Sequence, residues 1–205
     1  MTARDRILAR VRMAAKPDVL ALAPLIAPTM ARTTGLVRIS QFVSKVEASA
    51  ATISRIASVA DLPKAMAHEL RSRNLPASVR HGSDPIFQDL RWGTIETSVG
   101  MGRMEEPVTL SRAQMGMAET GTLVLTSGPD NPVTLAFLGE THFIVVRATD
   151  VMAGFEDMWA EFRRRELDPR TVNLITGPSR SGDIGQKIQL GAHGPIAVHV
   201  FMVAD

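Results

Sequence analysis

An α/β fold with a mainly parallel central sheet and helices on both faces is what this sequence predicts, on three observations. From residue 51 onward, strand-like and helix-like segments alternate, the pattern that right-handed crossover connections produce. The run His142-Phe143-Ile144-Val145-Val146 is apolar apart from its histidine, which suits a strand covered on both faces. Val151, Met152, Phe155, Met158, Trp159 and Phe162 form an apolar stripe at helical spacing, with Asp150 at its start.

The remaining elements follow in chain order. Thr2 to Ala15 reads as a helix with Ile7, Leu8 and Val11 on one side. Residues 16–35 hold three prolines (Pro17, Pro24, Pro28) and end in Thr33-Thr34-Gly35, so they read as a connector of low regularity. Its leucines and Ile26 suit packing on another surface, a neighbouring subunit among the candidates, and a homo-oligomer is one arrangement this allows. We therefore divide the chain into an N-terminal helix and arm, 1–35, and an α/β domain, 36–205. Residues 36–47 suit a further helix, and Ala51 to Ala57 a strand. Asp61 is placed to cap a helix that carries Pro63 in its first turn and Leu62, Met66 and Leu70 on one face. Ala77 to Arg80 is a short strand. Residues 82–107 are rich in Gly, Pro and Asp and give no pattern. Two strands are expected within 108–126, around Thr120-Gly121. A short helix is expected over Asn131 to Leu138, with Pro132 at its first position. Val172 to Thr176 and Val198 to Val203 are the last strands.

Composition narrows the function classes. The 205 residues suffice for a core without metal or disulfide staples, and 45% hydrophobic against 21% charged residues is ordinary globular usage. The net charge is +2, and the one tight basic cluster, Arg163-Arg164-Arg165, sits among Glu161 and Glu166, as a solvated helix end does. No basic stripe is interleaved with aromatics, which argues against a nucleic-acid partner. The absence of cysteine excludes disulfides, thiolate nucleophiles and cysteine-held iron–sulfur clusters on this chain. No segment reads as a signal peptide or reaches membrane-spanning length, so no membrane partner and a cytoplasmic location are expected.

In open α/β sheets ligands lie beyond the carboxyl ends of the strands, and three loops stand out on that rule. Ser127-Gly128-Pro129 combines a hydroxyl with a glycine and leads toward a predicted helix whose first N–H groups suit an anion. Gly177-Pro178-Ser179-Arg180-Ser181-Gly182-Asp183 adds two hydroxyls and a guanidinium, a set that suits phosphate or carboxylate. Gly191-Ala192-His193-Gly194-Pro195 places a histidine between glycines. Each also reads as a plain turn. Glu119 is a lone acid beside a buried strand, so it is either paired with backbone N–H groups or used as a nucleophile or base. If residues 115–126 form one flat hairpin, Glu119 and Ser127 lie about 20 Å apart, too far to share one small ligand. His142 suits a hydrogen-bonded core histidine. No HExxH spacing, GxSxG elbow or standard nucleotide loop is present, and no metal is expected.

AETGTLVLTSGP, THFIVV, ITGPSRSGDI and LGAHGPIAVHV, in that order over roughly 108–203, resemble the LUD-domain proteins of the lactate utilization protein C type. The resemblance implies a fold of the NagB/RpiA/CoA-transferase-like kind. It also implies a link to oxidation of L-lactate to pyruvate beside iron–sulfur partner proteins, with no cofactor on this chain itself. The motif residues that carry over are Glu119, Thr120, Gly121, Thr122, Ser127, Gly128, Gly177, Pro178, Ser179, Arg180, Asp183, His193 and Gly194. The chain departs from the family pattern at Gln114, at Leu138-Gly139-Glu140 and at Gly185.

Two function classes stay open. One is an accessory subunit that binds a small anionic ligand and docks on cluster-bearing partners. The other is an enzyme in its own right, since Glu119-Thr120-Gly121 loosely resembles the Glu-Asn-Gly segment of CoA transferases, whose glutamate attacks an acyl-CoA.

Overall fold

The structure, a computed structural model, describes residues 2–14, 28–104, 106–184, 187–191 and 193–204, with the backbone alone for 182–184 and 187–190. Most of the proline-rich arm, residues 15–27, and Gly185 lie outside the described residues. In chain order the elements are α1 (Ala3–Ala14), α2 (Gly35–Ala48), β1 (Thr52–Ile56), α3 (Leu62–Ser72), β2 (Ser78–His81), α4 (Pro85–Gln88), β3 (Glu96–Val99), β4 (Val108–Arg112), β5 (Met115–Met117), β6 (Thr122–Thr126), β7 (Thr141–Arg147), β8 (Val151–Met152), α5 (Phe155–Arg164), β9 (Val172–Ile175), β10 (Arg180–Ile184), β11 (Lys187–Leu190) and β12 (Ala197–Val203).

Six strands form one sheet in the order β1-β12-β7-β4-β2-β3, and every neighbouring pair is parallel. The predicted α/β class is the observed one. The alternation along β7 explains its continuous apolar run. Phe143 and Val145 face α3 and α4, where they meet Leu62, Met66, Leu70 and Phe87. Ile144 and Val146 face the other way, into a core shared with Phe42 and Val46 of α2. On that second face a smaller sheet, β8-β5-β6-β9, contributes Leu123 and Leu125. Its outer side is covered by α5 through Met158 and Phe162, which pack on Met115, Met117 and Val124. The two faces of the large sheet are thus closed by helices on one side and by a helix plus a second sheet on the other. Among the described residues no helix is long and apolar enough to cross a membrane.

Several expected elements are corrected. The stripe at 151–162 is not one helix: Val151 and Met152 are β8, paired with Gly116 and Met117, and α5 begins at Phe155. Over two residues helical and extended spacing cannot be told apart. Asp150 does not cap α5; it is held by Arg165 at 2.5 Å. Asp61 does not cap α3 with its side chain. Its carboxylate instead accepts from the N–H and hydroxyl of Ser58, closing a 3-10 turn at Val59–Asp61. The expected helix at 131–138 is a 3-10 turn, Val133–Ala136, with Pro132 before it. The unpatterned stretch 82–107 contains α4, capped by Asp84, and β3. Residues 108–126 hold three strands, not two. The chain changes sheet between adjacent residues there: Ala113 donates to Val145 of β7, and Gln114 to Val124 of β6. Ile7, Leu8 and Val11, the apolar side of α1, are exposed.

Of the three buried histidines, His81, His142 and His199, the last two lie on the central strands β7 and β12. His142 is buried, with Nε2 at 2.9 Å from the Ser111 hydroxyl and Nδ1 without a partner. Burial pushes its pKa down to about 3. His199 touches Thr52 Oγ1 and the Arg73 guanidinium through Nδ1, and Ser54 Oγ through Nε2. A guanidinium only donates, so Nδ1 accepts and the proton lies on Nε2, directed at Ser54. That tautomer cannot draw a proton from Ser54, and the Ser54–His199–Glu69 grouping is a structural knot and not a hydrolase triad. Burial first, then the Arg73 charge, pushes His199 down to about 4 against the opposing pull of Glu69.

Both rings stay neutral in the folded protein as pH falls, whereas in the unfolded chain they protonate near the ordinary histidine value of about 6.5. Stability is full above that pH and is lost as pH drops from about 6.5 toward 4, because only the unfolded state takes up protons there. His142→Gln is expected to shrink the loss in urea-unfolding free energy between pH 7.5 and 5.0 by about 2 kcal/mol. An unchanged loss would mean that His142 is protonated in the folded state. At Gly121, φ is +72° and an added Cβ would stand 2.5 Å from the backbone of Lys45 and Val46. Gly121→Ala is expected to cost at least about 2 kcal/mol by the same measurement. A cost below about 0.5 kcal/mol would show that α2 moves aside freely.

Candidate functional site

β10 and β11 pair antiparallel, with Arg180 opposite Leu190. The loop before Arg180 and the loop after Leu190 are therefore the two feet of one hairpin. This is why two motifs distant in sequence meet. Backbone hydrogen bonds fix the junction: Ser179 donates to Pro195 O and Gly191 to Ser179 O, both at 2.9 Å. Gly177, at φ +73°, lies against the Ser49 backbone, where a Cβ would collide with the carbonyl. Together the feet border a cavity of about 210 Å³. Thr176, Ser179 and His193 give it polar groups; Phe137, Leu174 and Val198 give it an apolar wall.

The Thr-Gly turn reaches the same wall through hydroxyls. Thr120 Oγ1 lies 2.6 Å from Thr122 Oγ1, which lies 2.7 Å from Thr176 Oγ1. Gly121 seats on Lys45 and Val46 of α2, as Gly177 seats on Ser49 just beyond the helix. The exposed Arg180 guanidinium donates through Nη2 to Ser49 O at 2.7 Å. A cation there also complements the negative end of the α2 dipole. Its Nε and Nη1 make no hydrogen bond among the described residues.

Glu119 stands next to this turn but does not line the cavity. Its Oε2 accepts weakly from the Phe155 N–H at 3.4 Å, at the start of α5, where the helix dipole favours a negative charge. Its own N–H donates to Ala153 O at 3.0 Å. Asp183 lies on β10, of which only the backbone is described at that position. Pro178 is buried at the hairpin foot.

Ser127 and Gly128 are elsewhere. β6 runs antiparallel to β9, so Thr122 approaches the Gly177 end and Thr126 pairs with Val172 at the other end. Ser127 exchanges two hydrogen bonds with Thr171, one through its hydroxyl. The following turn packs on the end of β2, where Ser83 donates to Pro129 O and Gly82 abuts Asp130. The structure thus brings together Thr120, Gly121, Thr122, Gly177, Pro178, Ser179, Arg180 and His193, and leaves Ser127 and Gly128 a strand length away, about 17 Å for five residues.

The expected placement beyond the carboxyl ends of the parallel strands is also corrected. Ile196 donates to Glu140 O and Ala197 pairs with Thr141, so the cavity borders the amino ends of β12 and β7. The three loops follow or precede strands that the sequence does not assign to a sheet. Thr176, Phe137 and Val198 were missed as lining residues. Only Thr176 had a signal, its place directly before the Gly-Pro-Ser-Arg motif.

Known proteins share this half of the chain. Residues 105–203 match the model of the LUD domain. The lactate utilization protein C of Geobacillus sp. (strain WCH70) is 30% identical over 102 residues, 48% of this chain and 42% of that protein. That of Geobacillus thermodenitrificans (strain NG80-2) is 27% identical over 145 residues, 63% of this chain and 60% of that protein. The chain thus spans about half the length of the curated relatives it matches. A crystal structure of a DUF162 family protein from Deinococcus radiodurans superposes with a TM-score of 0.61 at 19% identity, covering 83% of this chain and 99% of that one, a likeness of fold. Residues 105–203, which build the hairpin feet and the cavity between them, are thus the part of the chain that is similar to the LUD domain.

Proposed function

We propose that this chain serves lactate utilization as an accessory subunit, binding a small carboxylate between the hairpin feet and working beside iron–sulfur partner proteins. The observation that carries the reading is the meeting of Thr176, Gly177 and Ser179 with His193, Gly194 and Pro195 on one cavity of about 210 Å³, with Arg180 next in the chain to its lining. A short 2-hydroxy or 2-oxo acid matches that space chemically. The apolar wall takes the methyl group. Ser179 and His193 suit the hydroxyl or carbonyl oxygen. Arg180, one residue from Ser179 and with donors to spare, suits the carboxylate, since a guanidinium binds such a group through two parallel hydrogen bonds. The names of the relatives support the lactate link. The iron–sulfur partners are those the family resemblance implies, and a chain without cysteine, having no thiolate to hold a cluster, is compatible with the two electrons of lactate oxidation passing to a partner.

Calorimetric titration with L-lactate and pyruvate tests the reading. One of them is expected to bind, and Arg180→Ala to weaken it by ~1.5–3 kcal/mol, the range for a charged hydrogen bond. No binding of either acid, or unchanged affinity in the variant, would leave the Gly-Pro-Ser-Arg segment a turn. In this reading Glu119 holds the start of α5 and forms no covalent intermediate. Intact-mass measurement after incubation with acyl-CoAs is therefore expected to show no adduct. A Glu119-dependent adduct would replace the accessory role with an enzymatic one.

A further inference from the structure

The large sheet ends at β1, which pairs with β12 on one side only. Ala204 donates to Ile56 O, so in this parallel ladder Thr52, Ser54 and Ile56 turn their N–H and C=O groups to β12. Ile53 and Arg55, the alternate residues, turn theirs outward. Among the described residues no hydrogen bond joins these outward groups to another element. A row of unpaired backbone donors and acceptors is a template for a further strand.

Beside that edge runs a groove of about 520 Å³, with Ser54, Arg55, Ile56 and Ala57 on one wall and α3 on the other. Four consecutive strand residues border it, so the wall is the backbone edge of β1 and not one face of its side chains. From α3 come Lys64, His68 and Arg71. Their spacing of i, i+4 and i+7 stacks them on one side of the helix, opposite the core residues Leu62, Met66 and Leu70. All three are exposed, and their side chains have no ion pair or hydrogen bond among the described residues. The two carboxylates at the groove are engaged within the fold. Asp61 accepts from Ser58, and Glu69 pairs with Arg73 at 3.0 Å. With Arg73 included, the described charges around the groove are four positive (Arg55, Lys64, Arg71, Arg73) against two negative (Asp61, Glu69), a surplus of two.

We propose that this groove takes an extended acidic segment of a partner protein, which adds to β1 as a further strand and lays its carboxylates against Lys64 and Arg71. The strand edge matches the alternating donors and acceptors of another peptide backbone, which no other polyanion carries. The cationic wall sets the charge, and the period of a strand places the acids at every second residue. This chain has no run of more than two acidic residues, which favours a different protein over a second copy. The groove is separate from the hairpin-foot cavity and does not depend on the function proposed there.

Fluorescence anisotropy at low ionic strength, with a labelled peptide of about six residues alternating Glu and Thr, tests it. The peptide is expected to bind saturably at one site, and its Lys-for-Glu counterpart not to bind. Two further versions are methylated at every second backbone nitrogen, one in each phase, which keeps the charge and removes the ladder donors. The phase that faces β1 is expected to lose at least about tenfold in affinity. Lys64→Glu combined with Arg71→Glu, both at exposed positions, is expected to cost at least about tenfold as well. Arg180→Ala is expected to leave binding unchanged, which keeps failure here distinct from failure of the lactate reading. No saturable binding of the Glu peptide, or equal binding of both methylated versions, would overturn the proposal. So would equal binding of a single-stranded oligonucleotide of the same charge, which would leave a plain polyanion surface. A dimer of this chain that excludes the peptide would assign the groove to a second copy instead.

Discussion

The C-terminal end of α2 is the surface on which the motif-bearing half of the chain is assembled. Gly121 rests on the backbone of Lys45 and Val46, Gly177 on that of Ser49, and Arg180 donates to the Ser49 carbonyl. The last contact joins residues 131 apart in sequence. A helix end offers carbonyls with no intrahelical partner. Here a remote guanidinium supplies one of the missing donors, and two glycines allow backbone to approach where a side chain could not. The helix itself is anchored in the core by Phe42 and Val46. The hairpin feet therefore take their position from a helix that is itself anchored in the core.

That arrangement separates the two edges of the large sheet by chemistry. At the amino ends of β7 and β12 the cavity is apolar, with a few hydroxyls and a histidine. At the carboxyl ends of β4 and β7 the lining is a lattice of arginines and aspartates. The smaller sheet links them. β6 begins beside Thr176 and ends beside Thr171, so its two ends serve opposite edges of the molecule. Glu119 belongs to a third neighbourhood, the start of α5.

The core tolerates polar groups because nearly all of them are answered. Thr109 donates to Leu135 O, Asn131 to Thr126 O, and His199 sits within four polar contacts. His142 and Asn131 are the less complete cases: one ring nitrogen of His142 bonds Ser111 and the other is bare, and Asn131 Oδ1 has no partner among the described residues. Burying an imidazole costs least in its neutral form, and that is why its pKa falls so far.

Local chemistry determined much of what is seen. The apolar run of β7, the spacing of Leu62, Met66 and Leu70 in α3, and the lone histidine of an apolar strand all follow from neighbours in the chain. So do the glycines at 121 and 177, whose left-handed backbone is a property of the turn itself. The tertiary structure alone decided the rest. Whether a strand joins the large or the small sheet turns on one peptide, between Ala113 and Gln114, where the backbone hydrogen bonds pass from Val145 to Val124. That choice set Ser127 apart from Gly177, put the motif loops at the amino edge, and gathered Arg112 with Arg165. Partners in such pairings lie tens of residues away, and hydrogen bonds between backbones carry no trace in side-chain periodicity.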